Sequence, residues 1–161
     1  FNKLPHNDNT NYIGESFANG VYAKVAEAFN VTVKHLKNIK TNPLVRHMLQ
    51  YAGTEDGRDK HGEQVWINAL NTRIGTATVP NKRNIVFITD VRFMNEADYV
   101  RAMGGSIVKI QRRGLINNDK HRSEIDIDHI SQDWTILNDE LVDLERETTW
   151  IAGHIIERYG L

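Results

Sequence analysis

Apolar residues recur at helical spacing through much of the first half of the chain. Phe17, Val21, Val25 and Ala28 share one face from Ser16 onward, with Tyr22 and Phe29 beside it, and Asn30 supplies a stop. A second helix is predicted from Asn42-Pro43. Asn caps it, and Pro suits the first helical position because the N–H it lacks has no intrahelical partner there. Leu44, Val45, Met48, Leu49 and Ala52 form its apolar stripe, and Gly53 fits a left-handed exit. After a polar, Gly-containing loop over 54–62, a third helix turns Trp66, Ile67, Leu70 and Ile74 inward. Residues 1 to about 14 show little periodicity and read as a loop or frayed end.

The period then changes. Ile85-Val86-Phe87-Ile88 is a short β-rich apolar run ending at Thr89-Asp90. Apolar residues on both faces imply burial on both faces, as in a central parallel strand. A helix of about ten residues follows, with Ala97, Val100 and Met103 inward and Gly104-Gly105 closing it. Ser106 to Ile110 is a second strand and Trp134 to Leu137 a third; 112–131 between them is charged and irregular. Asn138 or Asp139 caps a last helix, with Leu141, Leu144, Thr148, Ile151, Ile155 and Tyr159 on one face and Gly160 at its end. The expected fold class is α/β, a parallel sheet with flanking helices. An irregular segment, 1–15, precedes a single domain, 16–161. Three strands are few for such a sheet, whose usual size is about five or six.

Composition narrows the function classes. The 161 residues include 20 Lys+Arg and 21 Asp+Glu, a formal charge of −1, which argues against a general nucleic-acid binder. Cysteine is absent, so neither a disulfide framework nor a thiolate metal site is available. No apolar run approaches the roughly 18 residues that span a bilayer, and no signal-peptide core is present, so a cytoplasmic protein is expected. The chain begins with Phe rather than Met.

In open α/β sheets, ligands bind beyond the carboxyl ends of the strands. The first strand ends in Asp90, Arg92, Asn95 and Glu96, the second in Arg112-Arg113, and the third in Asn138-Asp139. An acid after a buried strand is placed to hold a metal-bound water, and an Arg two residues on can fork onto a phosphate. Equally, Asp90 can cap the next helix while Arg92 pairs with Glu96. Arg112-Arg113 can neutralise a transferring phosphoryl group, or form a solvated pair facing Asp119, Glu124 and Asp126. The run from Asp119 to His129 is dense in potential metal ligands but has no zinc spacing, which favours a salt-bridged loop. Arg46 and Gln50 share one helical face, and the turn through Glu55 places Arg58 nearby. Two arginines and an amide suit a nucleotide's phosphate and base, or simply a polar surface. Trp66 fits the core better than a stacked base. The seven histidines have no partner in a nucleophile motif.

In order along the chain, these segments resemble the bacteriophage deoxynucleoside monophosphate kinases, a branch of the P-loop nucleoside monophosphate kinases. Ser16-Phe17-Ala18, Lys24 and Phe29 resemble that family's first segment after the P-loop. Arg46 to Glu55, with Arg58 and Trp66, resembles its acceptor-side helix and loop. Thr89 to Glu96, with Gly104-Gly105, is the most specific piece. Arg112-Arg113 and His121 to Glu124 resemble its lid, and Asn138-Asp139 its nucleotide-base end. On this resemblance 16–80 is an acceptor-binding helical part, 81–111 and 132–161 are the core, and 112–131 is a lid.

The resemblance implies transfer of the ATP γ-phosphoryl group to a deoxynucleoside monophosphate, with Mg²⁺. Asp90 would be the Walker-B-like acid, holding Mg²⁺ through water. Arg92 and Arg58, helped by Arg46 and Gln50, would bind the acceptor phosphate, with Glu55 and Trp66 in the substrate-binding set. Arg112 and Arg113 would neutralise the transferring group as a lid carrying His121 and Glu124 closes. Asn138 and Asp139 would bind the cofactor's base. Members of the family are commonly dimeric, so a homodimer is a candidate; nucleic acid and membrane are not expected partners, and a phage-encoded member would act in the host cytoplasm. The family's G-x-x-x-x-G-K-[ST] phosphate loop does not occur in the 161 residues. The expectation is that this loop and the first strand lie upstream of Phe1. The alternatives are a non-catalytic nucleotide-binding relative without a P-loop, a kinase of another small phosphate ester, and a metal-dependent nuclease or phosphohydrolase built on Asp90, Glu96, Asp119, His121 and Glu124.

Overall fold

The computed structural model describes residues 9–114 and 121–160. Asp119 and the first eight residues lie outside them. The chain divides into two compact units, 1–91 and 92–161.

The first unit begins with a strand where a frayed end was expected. β1 (Thr10–Glu15) pairs in parallel with β2 (Arg83–Ile88), from Thr10 opposite Arg83 to Glu15 opposite Ile88. Among the six residues of β1 only Ile13 is buried, so the apolar alternation that marks a strand is too thin to stand out. Asn11 anchors the pairing, its Nδ2 donating to Ala77 O at 3.0 Å and to Asn84 Oδ1 at 2.8 Å. Phe87 is 39 % exposed, so β2 is not buried on both faces.

The parallel pair is connected through helices. α1 (Ala18–Ala28) buries Val21 and Val25, and Asn30, at φ 51°, takes the left-handed conformation that ends it. α2 (Val33–Ile39), not predicted, is capped by Thr32, whose Oγ1 accepts from His35 N at 3.1 Å. Leu36 is its one buried residue, too little for a periodic signal. α3 (Pro43–Gly53) starts as predicted, with Asn42 Oδ1 accepting from Leu44 N at 2.9 Å. Its stripe is narrower than predicted: Ala52 is buried and Leu44 is 76 % exposed.

Gly53 is not a left-handed exit. Its backbone stays helical (φ −76°), and the chain runs on into a π-helical turn, Thr54–Arg58, and a short helix, α4 (Asp59–His61). The positive-φ exit falls at Gly62, φ 92°. α5 (Val65–Ala77) then buries Trp66, Ile67 and Leu70.

In the second unit, β3 (Val108–Gln111) pairs in parallel with β4 (Trp134–Leu137), Val108 opposite Trp134. α6 (Met94–Ala102) buries Ala97 and ends at Gly104, φ 77°, but Met103 is 70 % exposed rather than inward. The described part of 112–131 contains α7 (Arg122–Ile125) and a 3₁₀ turn, Asp126–His129. α8 (Leu141–Tyr159) ends at Gly160 as expected. Its cap differs. The N-cap is Glu140, without a side-chain hydrogen bond, because Asn138 and Asp139 still belong to the strand exit. No described helix is long and apolar enough to cross a membrane.

Candidate active site

Asp90 lies just beyond the carboxyl end of β2. It caps a helix, though not the following one: Oδ1 accepts from Phe17 N at 2.8 Å and Oδ2 from Ala18 N at 2.9 Å, so it closes the first turn of α1 across the sheet. A carboxylate at a helix N-terminus gains from both the unpaired amides and the helix dipole.

The end of β1 carries a second charged group that the sequence did not single out. Arg73 of α5 donates through Nε to Glu15 Oε2 at 3.0 Å and through Nη2 to Ser16 O at 2.8 Å. Glu15 Oε2 also accepts from Asn19 Nδ2 at 3.0 Å and Ser16 N at 3.2 Å. Burial alone would raise the Glu15 pKa, but the bonds from Asn19, Arg73 and Ser16 outweigh it and hold the carboxyl below its ordinary value. Lys37 reaches the same group through Asn19 Oδ1 at 2.9 Å. Glu15 and Arg73 stand 58 residues apart, so no local spacing reveals the pair.

The predicted acceptor-side residues lie along α3, the π turn and α5. Arg46 and Glu55 are exposed and Gln50 is half-buried. Arg58 is 3 % exposed, donating to Glu63 O at 3.1 Å and pairing with its carboxylate at 3.6 Å. Trp66 is in the core, as its apolar neighbours suggested. Its Nε1 donates to Gly53 O at 2.7 Å, and its ring backs onto Gly20 and Gly57. Arg58 and Trp66 therefore build the turn from beneath and present no open face to a ligand. π-helical turns concentrate at functional sites. Here the turn exposes Glu55 and is tied to α1 by Lys24, whose Nζ reaches Asp56 O at 3.0 Å and Oδ2 at 2.6 Å. Hydrogen bonds from Lys24 and Lys60 lower the Asp56 pKa to about 2.

In the second unit Arg92 is held at both ends. Its backbone N donates to Glu96 Oε2 at 2.8 Å, and its guanidinium pairs with Glu124. Phe93 N donates to the same Glu96 oxygen at 3.2 Å, so buried Glu96 closes the start of α6. The sequence paired Arg92 with Glu96 through the side chain; the bond runs through the backbone instead, leaving the guanidinium directed at the α7 segment. His121 O accepts from Glu124 N at 2.8 Å and opens α7. Arg112 and Arg113 are exposed at the end of β3. Arg113 pairs with Asp139, its N on Oδ1 at 2.7 Å and its Nε 3.2 Å from Oδ2; Asp119, one of the expected partners, lies outside the described residues. Asn138 N continues the ladder to Gln111 O at 2.7 Å. Ion pairs Arg122–Asp126 and Lys109–Asp128 make the described loop salt-bridged. No group of three or more His, Asp or Glu side chains suited to a metal ion occurs among the described residues.

The order of these pieces matches a known family. The model of the deoxynucleotide monophosphate kinases fits residues 5–147. The chain belongs to that family. It is 33 % identical over 113 residues to a protein of Acanthamoeba polyphaga mimivirus provisionally named a deoxynucleotide monophosphate kinase, covering 61 % of this chain and 55 % of that one. It is 27 % identical over 120 residues to the deoxynucleotide monophosphate kinase of Escherichia phage RB69, covering 73 % of this chain and 45 % of that one. The chain thus spans about half the length of these curated kinase relatives.

Proposed function

We propose that this chain is part of a phosphotransferase that moves the γ-phosphoryl group of ATP to a deoxynucleoside monophosphate. The observation that carries this reading is the family match across 5–147. Phosphoryl transfer asks a protein mainly for positioning and charge stabilisation, and the arrangement above suits that demand.

Arg92 is the acceptor-phosphate ligand. Its backbone is pinned by Glu96, and its half-exposed guanidinium exchanges one carboxylate partner, Glu124, for a phosphate. Arg46 and Gln50 of α3 are the further acceptor-binding residues that the family reading assigns. Arg58 and Trp66 support the turn that carries Glu55, a smaller role than direct contact. Arg112 and Arg113 neutralise charge on the transferring group, and Asn138 and Asp139 border the nucleotide base.

The donor set fits Mg²⁺ in one respect. Asp90 stands at a strand end as a carboxylate whose two oxygens accept from the Phe17 and Ala18 amides, and Mg²⁺ is usually held by phosphates, waters and one or two carboxylates. When bound, the ion neutralises charge between the phosphates. The residues of this chain do not by themselves fit the ATP triphosphate, since no phosphate loop occurs among them.

The test is an assay of the full-length gene product with ATP, Mg²⁺ and each of the four common deoxynucleoside monophosphates. ADP formation dependent on at least one acceptor is expected; none above the ATP-only blank with any acceptor overturns the reading. Arg92→Ala is expected to lower kcat/KM about 10²- to 10³-fold in a protein that still folds.

A further inference from the structure

The two bonds that Arg73 and Asp90 make to the β1–α1 turn share one peptide group. Ser16 O and Phe17 N are the two ends of a single planar unit. Arg73 Nη2 donates to the oxygen end at 2.8 Å, and the nitrogen end donates to Asp90 Oδ1 at 2.8 Å. We propose that Arg73 is a positioning residue for Asp90, acting through the Ser16–Phe17 peptide plane.

Two physical effects run through that plane. The first is geometric. Because the unit is rigid, fixing its oxygen fixes the direction of its N–H, and the N–H fixes the rotamer of Asp90. The second is electronic. A guanidinium on the carbonyl polarises the amide and makes its N–H a stronger donor to the carboxylate, as in any chain of aligned hydrogen bonds.

Arg73 is itself firmly held. Nη1 donates to Ala69 O on its own helix at 3.0 Å, and Nε donates to Glu15 Oε2 at 3.0 Å. Glu15 in turn gathers Asn19 and the Ser16 amide, and its carbonyl accepts from Thr89 N at 3.1 Å, one residue before Asp90. The guanidinium therefore ties α5 to the end of β1, whose Glu15 carbonyl is bonded to the exit of β2.

The inference rests on the reading of Asp90 as the metal-side carboxylate, but its physical content can be measured without that reading. In Arg73→Met the stem stays and the fork is lost. Two quantities are read on the full-length protein: hydrogen exchange of the Phe17 and Ala18 amides, and kcat against acceptor KM. The expected result is a folded variant in which both amides exchange at least about tenfold faster, the scale of one charge-assisted hydrogen bond. In the same variant kcat falls by at least about tenfold while acceptor KM moves less than about twofold. Arg73→Lys, which keeps one donor for the Ser16 carbonyl, is expected to recover part of both losses.

Unchanged amide exchange in folded Arg73→Met overturns the proposal, whether or not the protein transfers phosphate. Faster exchange with unaltered kcat in an active enzyme also overturns it, because Arg73 would then hold the turn alone. If wild type is inactive with every acceptor, the proposed function fails, and exchange still decides whether Arg73 orients the Asp90 contacts. Should Arg73→Met fail to fold, Arg73→Lys and Glu15→Gln are read by the same measurements.

Discussion

Gly57 shows how much one missing carbon can decide. A Cβ there would stand 2.5 Å from Trp66 Cζ2 and 2.7 Å from Ala52 O, and neither the buried indole nor the helix backbone can move aside cheaply. Gly57→Ala is expected to cost about 1–3 kcal/mol, the usual range for overpacking; a thermal melt within about 0.5 kcal/mol of wild type, the scatter of neutral surface changes, would refute that. The sequence presents Gly57 as one more loop glycine, between Asp56 and Arg58. What makes it obligatory is the Trp66 ring, nine residues on, which α5 lays across the turn. Arg58 has the same history. Its spacing from Arg46 and Gln50 suggested a phosphate ligand, yet burial against Glu63 makes it part of the turn's foundation.

At the scale of elements, helices with strong local signals were legible. Asn42-Pro43 starts α3, Gly160 ends α8, and Trp134–Leu137 is a strand, all as the residues indicate. β1 and α2 were not legible, because each buries only one side chain and owes its form to partners elsewhere. Glu96 caps α6 by taking the Arg92 and Phe93 amides. Glu96→Ala removes the acceptor of a buried amide, Phe93 N, and a part-buried one, Arg92 N, so a loss of about 1–3 kcal/mol is expected in denaturant unfolding. Glu15 offers a pH test. Its folded pKa lies below the ordinary 4.5, so the unfolded state binds the proton more readily and the carboxylate favours folding. Wild type should exceed Glu15→Gln in stability by a constant margin well above pH 4.5, and the margin should shrink as pH falls through the lowered folded value. A margin that does not vary with pH would show that the Arg73 pairing contributes nothing in solution.

For the whole molecule, the net charge of −1 hides an uneven distribution. Acids occupy the cations at several points: Glu124 on Arg92, Asp139 on Arg113, Asp56 on Lys24 and Lys60. On the proposed function, a phosphate bound at Arg92 would take the place of Glu124, so the guanidinium would stay hydrogen-bonded and the desolvation cost of binding would be limited. A deoxynucleoside monophosphate at about a hundred times its dissociation constant adds about 2.7 kcal/mol to the full-length protein. Its melting temperature should rise by several degrees with the preferred acceptor, and a flat response to all four would remove acceptor binding from the proposed function.

The sequence by itself determined the order of chemistry-bearing segments, the α/β class and the ends of several elements. These depend on neighbours within a few residues: a capping Asn, a strand-ending Asp, a glycine past a helix. Only the tertiary structure decided what each charged residue does. Asp90 caps a helix that begins 72 residues earlier, and Arg73 meets Glu15 from 58 residues away. The reason is physical. A charge acts through the partners within a few ångströms of it, and those partners are brought together by the fold rather than by spacing along the chain.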